Sequence, residues 1–243
     1  MRKVFVVLAM TISVSLFITD AYGFKQEDLD KLKKTGKCIG GDLSSANLAN
    51  ADLEESVLEN SDLSEANLSG ANLKESDMYG VDLQEANLEK ANLSKCNLEE
   101  ANLRGAKMKN AILKHASFEK SNLTNADLEE ANLTSANLKD SSLGSANFKK
   151  ADLSNADFRN SEMTNTILTD ANLTDASLIG ANLYKVNFEG ANLKNTDLRR
   201  ANLKWVDIKK AKNYEEAKVD QSVIDKETKA DTNKQEGFSL KAI

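Results

Sequence analysis

Residues 121–140 read SNLTNADLEEANLTSANLKD, and this stretch holds the same five-residue unit four times. The unit is a small residue, then Asn or Asp, then Leu, then two variable residues. It runs through residues 41–210 without an insertion, so every fifth position from Leu43 to Ile208 is large and apolar. Leu fills 26 of these 34 positions, and the others are Met78, Met108, Phe118, Phe148, Phe158, Met163, Phe188 and Ile208. A fixed short period of this kind indicates a repeat architecture.

The spacing within the unit limits how the chain can bury it. The small residue and the Leu are two apart, so an extended backbone places both side chains on one face. Because five is odd, a straight strand would send successive Leu side chains to opposite faces, and an α-helix would spread them around its circumference. A coil that turns a corner once per unit buries them all, and stacked coils can share backbone hydrogen bonds. The chain has no proline. This agrees with a stacked fold in which backbone N–H groups donate hydrogen bonds from one coil to the next, because proline has no such group.

These repeated units resemble the pentapeptide-repeat family, and together with the N-terminal features described below they resemble its secreted bacterial members. The resemblance covers about 170 residues, Gly41 to Lys210. It implies an all-β fold, a right-handed quadrilateral β-helix with four units in each coil. At ~4.8 Å between neighbouring strands, 34 units would form a rod roughly 41 Å long. The same period places the Phe residues in two opposite columns, Phe148 with Phe188 and Phe118 with Phe158.

The N-terminus has the features of a Sec-type signal peptide over residues 1–23. It has a basic start, an apolar run over residues 4–18 and a small-x-small site that ends at Gly23. A membrane anchor is the alternative, but the apolar run of ~15 residues is shorter than the ~20 needed to span a bilayer. The sequence therefore predicts cleavage near Gly23, a periplasmic or extracellular location, and no stable membrane insertion after cleavage.

Residues 24–40 are predicted to form an N-terminal cap, because a solenoid would otherwise expose its core at the first coil. An amphipathic helix is expected over Gln26–Lys34, with Leu29 and Leu32 on one side. The family resemblance extends here, since secreted members often carry Leu-x-x-Thr-x-x-Cys-x-x-Cys-Asp-Leu. This chain matches that pattern at Leu32, Thr35, Cys38, Asp42 and Leu43, but Gly41 stands at the second Cys. The disulfide that the pattern implies is therefore absent.

The repeat loses its register after residue 210. Residues 211–224 are predicted to be a degenerate repeat or a short C-terminal cap, because Ala217-Lys218-Val219 and Ser222-Val223-Ile224 look like imperfect units. Residues 225–243 are rich in Lys, Asp, Thr, Asn and Gln, a composition that predicts a disordered tail.

Few residues are candidates for chemistry. Cys38 and Cys96 fall in inward phases almost three coils apart, roughly 14 Å at strand spacing, whereas a disulfide needs Cα atoms within ~7 Å. His115 is the only histidine and occupies an outward position beside Lys114. It has no second His and no neighbouring Cys with which to bind a metal. Because catalysis usually needs a pocket with convergent polar groups, we expect no catalytic, cofactor or metal site.

Charge is unevenly distributed along the repeat. Residues 41–100 hold 14 acidic and 3 basic residues, a net charge of −11, whereas residues 101–210 hold 13 acidic and 16 basic residues, a net charge of +3. One interpretation is ordinary solvation of a β surface. The other is an acidic band that attracts a cationic partner.

The outward apolar residues cluster near the C-terminal end. A twenty-residue coil places Lys204 above Tyr184 and Trp205 above Lys185. Aromatic and Arg side chains are frequent anchors of protein interfaces. We therefore define a candidate partner-binding surface, the C-terminal patch, as Ile179, Tyr184, Lys185, Arg199, Lys204 and Trp205. The alternative is that residues 211–224 fold back over these side chains as a cap.

Two functions follow as hypotheses. The first is a secreted, non-enzymatic structural or protein-interaction scaffold with an unknown protein partner. The second comes from the resemblance alone, since some cytoplasmic pentapeptide-repeat proteins mimic duplex DNA and bind DNA gyrase. The acidic band and the net charge of −6 agree with the second hypothesis, but a signal peptide does not. Neither hypothesis includes a nucleic-acid partner.

Overall fold

The computed structural model of the protein describes residues 23–220. One α-helix, α1 (Gln26–Thr35), precedes a stack of isolated parallel β-bridges that begins at Lys37. Two short 3₁₀ helices, Ile208–Lys210 and Tyr214–Glu216, lie at the C-terminal end. The predicted signal peptide up to residue 22, the unit at 222–224 and the tail at 225–243 lie outside the described residues.

Each turn of the stack takes twenty residues. Nearly every bridge joins a residue to the one twenty positions later, as in Asp42 with Asp62 and Asp62 with Asp82. Four units therefore form the four sides of one coil, and we number the sides 1 to 4 by their first Leu residues, Leu43, Leu48, Leu53 and Leu58. The Asn or Asp of each unit forms the bridge alone, so a side is one paired residue and not a long strand. Within the described residues the fold is thus a β-solenoid of isolated bridges, with helix at its two ends.

The coils are joined by a set of three backbone hydrogen bonds that recurs along the rod. Leu128 N–H donates to the carbonyl of Asn147 (2.7 Å), and Asn147 N–H donates to the carbonyl of Ala126 (2.9 Å). The corner residue Glu130 donates its N–H to the carbonyl of Lys149 (2.9 Å). Since these donors come from every unit, a proline at any of them would break the ladder.

Every corner is a tight turn with a left-handed residue. In the unit that begins at Ala126, Ala131 N–H donates to the carbonyl of Leu128 (3.0 Å), and Glu130 between them has φ +59°. Positive φ at the third residue is what a type II turn requires. The corners from Gly40 to Trp205 all have positive φ, and only six of them are glycine: Gly40, Gly70, Gly80, Gly105, Gly180 and Gly190.

The preference for Asn or Asp in each unit is explained by two side-chain hydrogen bonds. The Oδ1 atom accepts from the backbone N–H two residues later, as Asp152 does from Ser154 (3.1 Å). At many of the Asn positions, Nδ2 also donates to the previous coil, as Asn172 does to Asp152 Oδ1 (3.1 Å). The first bond favours the turn that follows, and the second links neighbouring coils into a ladder of side chains.

The interior is filled by the Leu and small-residue columns. Side 3 has Leu at every core position from Leu53 to Leu193, and these side chains are buried. The rings of Phe148 on side 2 and Phe158 on side 4 meet across the interior, with centroids 6.0 Å apart and planes at 89°. This contact confirms that the two Phe columns face each other. Edge-to-face packing of this kind is favourable for aromatic pairs.

Helix α1 closes the N-terminal end of the core. Its Leu29 and Leu32 side chains are buried against the first coil. Asp28 Oδ2 accepts from Asp42 N–H (2.9 Å), and Lys25 N–H donates to the carbonyl of Asp42 (3.0 Å). Side 1 has no earlier coil to pair with at this end, and these two hydrogen bonds take the place of that pairing.

Cys38 lies in the first layer of the core, and its thiol takes the space beside Gly41. A Cβ atom at position 41 would overlap Cys38 Sγ and press against the Asp28 carboxylate. Burial raises the pKa of the Cys38 thiol, and the nearby Asp28 raises it further. Gly41 stands where the family pattern has its second Cys. It fits beside the Cys38 thiol because it has no side chain.

The C-terminal end closes with irregular turns. Lys212 pairs with Asn192, twenty residues earlier, but Lys218 pairs with Asp197, twenty-one residues earlier. The slip of one residue therefore falls at the 3₁₀ helix Tyr214–Glu216. Residues 211–220 thus extend sides 3 and 4 by one more layer.

We predict that Leu133→Asp lowers the free energy of unfolding by more than about 3 kcal/mol, because it buries a carboxyl group without a partner. Ser135→Asp is the matched control at a corner two residues away, and its effect should stay within about 0.5 kcal/mol. Chemical denaturation of the two variants measures the difference. Equal losses of stability would show that the inward and outward phases are misassigned.

A second pair of substitutions tests the corners. Gly70 has φ +66°, and a Cβ atom there would lie 2.5 Å from Asn50 Oδ1, whereas a Cβ atom at Gly144 would meet only Thr164 O at 3.8 Å. Gly70→Ala should therefore destabilise the protein by about 1–2 kcal/mol, and Gly144→Ala should be neutral or slightly stabilising. Thermal unfolding of both variants checks this, and a destabilised Gly144→Ala with an unchanged Gly70→Ala would contradict it.

Candidate protein-interaction surface

The C-terminal patch lies on two adjoining sides of the last coils. Tyr184 and Lys204 follow the core residue of side 1, and Lys185 and Trp205 occupy the corner after it. The sides and corners are fixed by the bridge between Asn182 and Asn202. The other two members, Ile179 and Arg199, lie on side 4, one unit earlier. The structure therefore brings Tyr184, Lys185, Lys204 and Trp205 together, while Ile179 and Arg199 stand beyond the preceding corner.

Trp205 is the most exposed large apolar side chain among the described residues, with 59% of its surface accessible. Tyr184 and Ile179 are half-buried, and Lys185, Lys204 and Arg199 are exposed. The described part of the segment that was expected to form a cap, residues 211–220, pairs with sides 3 and 4. It leaves the Trp205 side chain open to solvent.

Lys185 and Arg199 of the C-terminal patch make contacts within the chain. Lys185 Nζ lies 5.2 Å from the centroid of the Tyr184 ring, a cation–π contact. Arg199 forms a two-point contact with Asp197, with Nε 2.9 Å from Oδ1 and Nη2 2.6 Å from Oδ2. The hydrogen bonds from Arg199 lower the pKa of Asp197. Much of the charge of Arg199 is thus balanced before any partner binds.

Many of the acidic residues of the N-terminal coils have structural partners. Lys74 Nζ lies 2.9 Å from Glu54 Oε1, and Lys95 Nζ lies 2.8 Å from Glu75 Oε1. Asp82 Oδ1 accepts from Asn102 Nδ2 (3.0 Å) in the side-chain ladder. These contacts favour the interpretation of the acidic band as a solvated β surface with cross-coil pairs.

The remaining reactive side chains do not converge. Cys96 is buried, and its thiol donates to the Leu73 carbonyl (2.8 Å) and lies 2.9 Å from Ser76 Oγ. Burial raises the pKa of Cys96 to about 12, so this thiol is protonated at neutral pH. His115 is exposed at a corner with φ +59°. Within residues 23–220, no cluster of His, Cys, Asp or Glu is arranged to hold a metal ion, and no helix is both long and apolar enough to cross a bilayer.

One feature of this end was not shown by the sequence. Arg199 was predicted as an interface cation of the C-terminal patch, and the structure pairs it with Asp197. No spacing in the sequence indicates which way a guanidinium group turns. Residues 201–205 form the last described layer of side 1, because the described residues end at Asp220, at the corner before that side.

Family comparison agrees with the architecture. A model of the pentapeptide repeat region matches residues 77–148, and a model of eight pentapeptide repeats matches residues 42–80, 136–175 and 176–212. Together the matches extend from residue 42 to residue 212, most of the chain. The chain belongs to the pentapeptide-repeat family. No curated protein matches it significantly.

Two solved structures are similar to this chain. A trypsin-treated form of QnrB1, a plasmid-mediated fluoroquinolone resistance protein, aligns with a TM-score of 0.53 at 19% identity, over 72% of this chain and 84% of QnrB1. HetL, a pentapeptide-repeat protein involved in heterocyst differentiation regulation in the cyanobacterium Nostoc sp. strain PCC 7120, is 29% identical, with a TM-score of 0.42. That match covers 69% of this chain and 85% of HetL. At 19% identity the likeness to QnrB1 establishes the β-helix fold alone.

The contact between Asp197 and Arg199 predicts a pH dependence of stability. Because the folded state lowers the pKa of Asp197, the stabilisation is present above the unfolded pKa, near ~3.9, and is lost as the pH falls through the folded value. Asp197→Asn should therefore lower the melting temperature at pH 7, and this deficit should shrink below about pH 4. Melting curves of both proteins across this range test it. A deficit that is constant with pH would show that the charge of Asp197 is not its cause.

Proposed function

We propose that this protein is a secreted, non-enzymatic scaffold that binds a protein partner through the C-terminal patch. The observation that carries the proposal is Trp205, 59% exposed at the corner of a rod whose interior is otherwise filled. Neither family model is that of an enzyme. The fold holds side chains at fixed positions on four rigid sides, which suits display to a partner.

The exposed side chain of Trp205 is not explained by the folding of the coil. Its positive φ, +61°, is shared by every corner of the rod and follows from the fold. The corners before it are occupied by polar residues and glycine, whereas Trp205 places a large apolar side chain in solvent. An exposed aromatic side chain at such a position is better explained by binding than by stability.

The neighbours of Trp205 suit a protein interface. Tyr184 supplies a second aromatic ring, with the Lys185 ammonium 5.2 Å from its centroid. Lys204 and Lys185 add exposed positive charge to the same side. Aromatic anchors surrounded by polar groups are the usual centre of such interfaces, whereas screened surface charges alone contribute little affinity.

Affinity capture tests the surface. Immobilised protein is incubated with the periplasmic fraction and the culture medium of the native host, and bound proteins are quantified by mass spectrometry. Trp205→Ala and Tyr184→Ala should each weaken capture of the partner at least about tenfold, as expected for truncation of a buried interface anchor. Ile112→Ala is the matched control, because Ile112 is also exposed (42%) but lies on side 3 far from the patch. Unchanged capture by both aromatic variants would move the binding site to the acidic coils.

The gyrase hypothesis has weaker support. The acidic band has a net charge of −11 over residues 41–100, but residues 101–120 hold five basic residues against one acidic residue. Cross-coil partners such as Asn102 occupy part of the acidic column. Location separates the two hypotheses, because gyrase is a cytoplasmic target.

We therefore predict that the chain is exported from the cytoplasm. Expression of the full precursor followed by N-terminal sequencing should give a mature chain that starts near Phe24, in the periplasm or the medium. The apolar run at residues 4–18 supplies the reason, and a variant with charged residues in that run serves as the control that should stay inside the cell. An intact Met1 in the cytoplasm would favour the gyrase hypothesis.

A further inference from the structure

Side 4 carries its charges in two separate groups along the rod. Its register is continuous, because parallel bridges join each of its layers to the next from Lys37 to Asp197. The residues that directly follow its core positions therefore stack in one column, ~4.8 Å apart. From the second layer onward this side 4 column reads Glu59, Tyr79, Glu99, Glu119, Lys139, Arg159, Ile179 and Arg199. All eight residues are half-buried or exposed. The charges in the first half of the column are acidic, and those in the second half are basic.

The side 4 column is complementary to its own reverse order. When a second copy is turned end for end and placed face to face, each column meets the same column of the other copy in reverse. Each acidic residue of the side 4 column then meets a basic one, in the pairs Glu119 with Lys139, Glu99 with Arg159 and Glu59 with Arg199. The two apolar members, Tyr79 and Ile179, meet each other. By symmetry each of these contacts occurs twice.

The other outward residues of side 4 are compatible with the same arrangement. At the corner that follows the column, Lys120 meets Asp140, and Gly80 meets Gly180, where no side chain hinders close approach. Across residues 57–200 no two like charges are matched on this side. Three outward residues in each of its eight layers give 24 residues on each copy, within the roughly 20–30 of a standard protein interface. The face is ~34 Å long at strand spacing.

Contacts within the chain are consistent with this pairing. Lys139 Nζ lies 3.2 Å from Glu119 Oε1 at the middle of the column. Two copies would join their pairs into one network of four charges with alternating signs. Asp157 accepts from Nε and Nη2 of Arg159. A guanidinium group has five N–H donors, so Arg159 can bind a second carboxylate such as that of Glu99.

Side 2 is also rich in charge, but its pattern differs. Its equivalent column alternates in sign through Glu89, Lys109, Glu129 and Lys149. Opposite charges are therefore neighbours within one chain, and Lys109 Nζ lies 2.9 Å from Glu129 Oε2. An end-for-end match of that column would also bring Lys90 against Lys150 at its corner, and like charges placed directly opposite are destabilising. Side 4 is thus the better surface for a second copy.

We propose that two copies of this chain associate through side 4, antiparallel, about a two-fold axis that passes between the layers of Glu119 and Lys139. Opposite charges fix the register of the two rods, and the contacts between Tyr79 and Ile179 add apolar area on both sides of the axis. This inference goes beyond the proposed function and does not depend on it, because side 1 separates side 4 from Trp205. It also gives Ile179 and Arg199, which stand apart from Trp205, a contact of their own.

Sedimentation velocity of the protein recovered from expression of the full chain tests the contact. A dimer is expected, and its dissociation constant should rise at least about tenfold when salt is raised to 1 M, where the Debye length is ~3 Å. Arg159→Glu should weaken the dimer at least about tenfold, because it places two acidic groups opposite each other at both copies of the contact. Lys149→Glu is the matched control, since it makes the same change of charge in the equivalent column of side 2 and should leave the dimer unchanged.

A second charge reversal tests the antiparallel register. Glu99→Arg should weaken the dimer as Arg159→Glu does, and the double variant with both substitutions should restore the dissociation constant to within about threefold of its original value. The two residues lie three layers apart in one chain, ~14 Å at strand spacing, so the rescue requires contact between copies. Arg159→Glu also removes the contact with Asp157. The double variant keeps that loss, so recovery of folding cannot explain the rescue.

Each contrary result overturns the proposal. A protein that stays monomeric at millimolar concentration does not associate through side 4. Equal weakening by Lys149→Glu and Arg159→Glu would show that net charge, and not this face, controls association. Single reversals that weaken the dimer without rescue in the double variant would rule out the antiparallel register. Trp205→Ala should leave the dimer unchanged, and loss of the dimer in that variant would place the contact at the C-terminal patch instead.

Discussion

The left-handed corner at every fifth residue is the constraint on which this structure depends. An L-residue in that conformation costs about 1–2 kcal/mol, and most corners of this rod are not glycine. Each unit offsets that cost by burying one Leu, which stabilises by about 1.5–3 kcal/mol, and by its hydrogen bonds to the coils above and below. Because no unit can make those bonds alone, the corners are stable only as a stack. The same reasoning explains why both ends need special closure, by α1 at one end and by irregular turns at the other.

The sequence predicted the parts of this structure that depend on periodicity. The inward phase of Leu and the small residue, and the opposite placement of the Phe columns, follow from the count of residues and the four-sided coil that the family resemblance implied. The contact between Phe148 and Phe158 agrees with that count. The predicted helix at Gln26–Lys34 differs from α1 by one residue at its C-terminal end.

Other features were not predictable because they depend on side-chain conformation or on the path of an irregular segment. The columns place Arg199 near other outward residues, but they do not show that its guanidinium turns back to Asp197. The role of the Asn and Asp column appears only when the backbone turn is known, since one carboxamide bonds both to its own turn and to the previous coil. The pairing of Asp197 with Lys218, twenty-one residues later, depends on how residues 206–220 cross the end of the rod, and no period governs that path.

The unbroken repeat also restricts how a rod of this kind can change length during evolution. Loss of one five-residue unit would turn everything that follows by one side, so that Trp205 would face a new direction relative to the acidic coils. Loss or gain of twenty residues would leave every column aligned and move the two ends by one strand spacing, ~4.8 Å. The distance between the ends can therefore vary in discrete steps while their relative orientation is kept. Duplication of whole coils therefore lengthens the rod without changing the side on which any other residue lies.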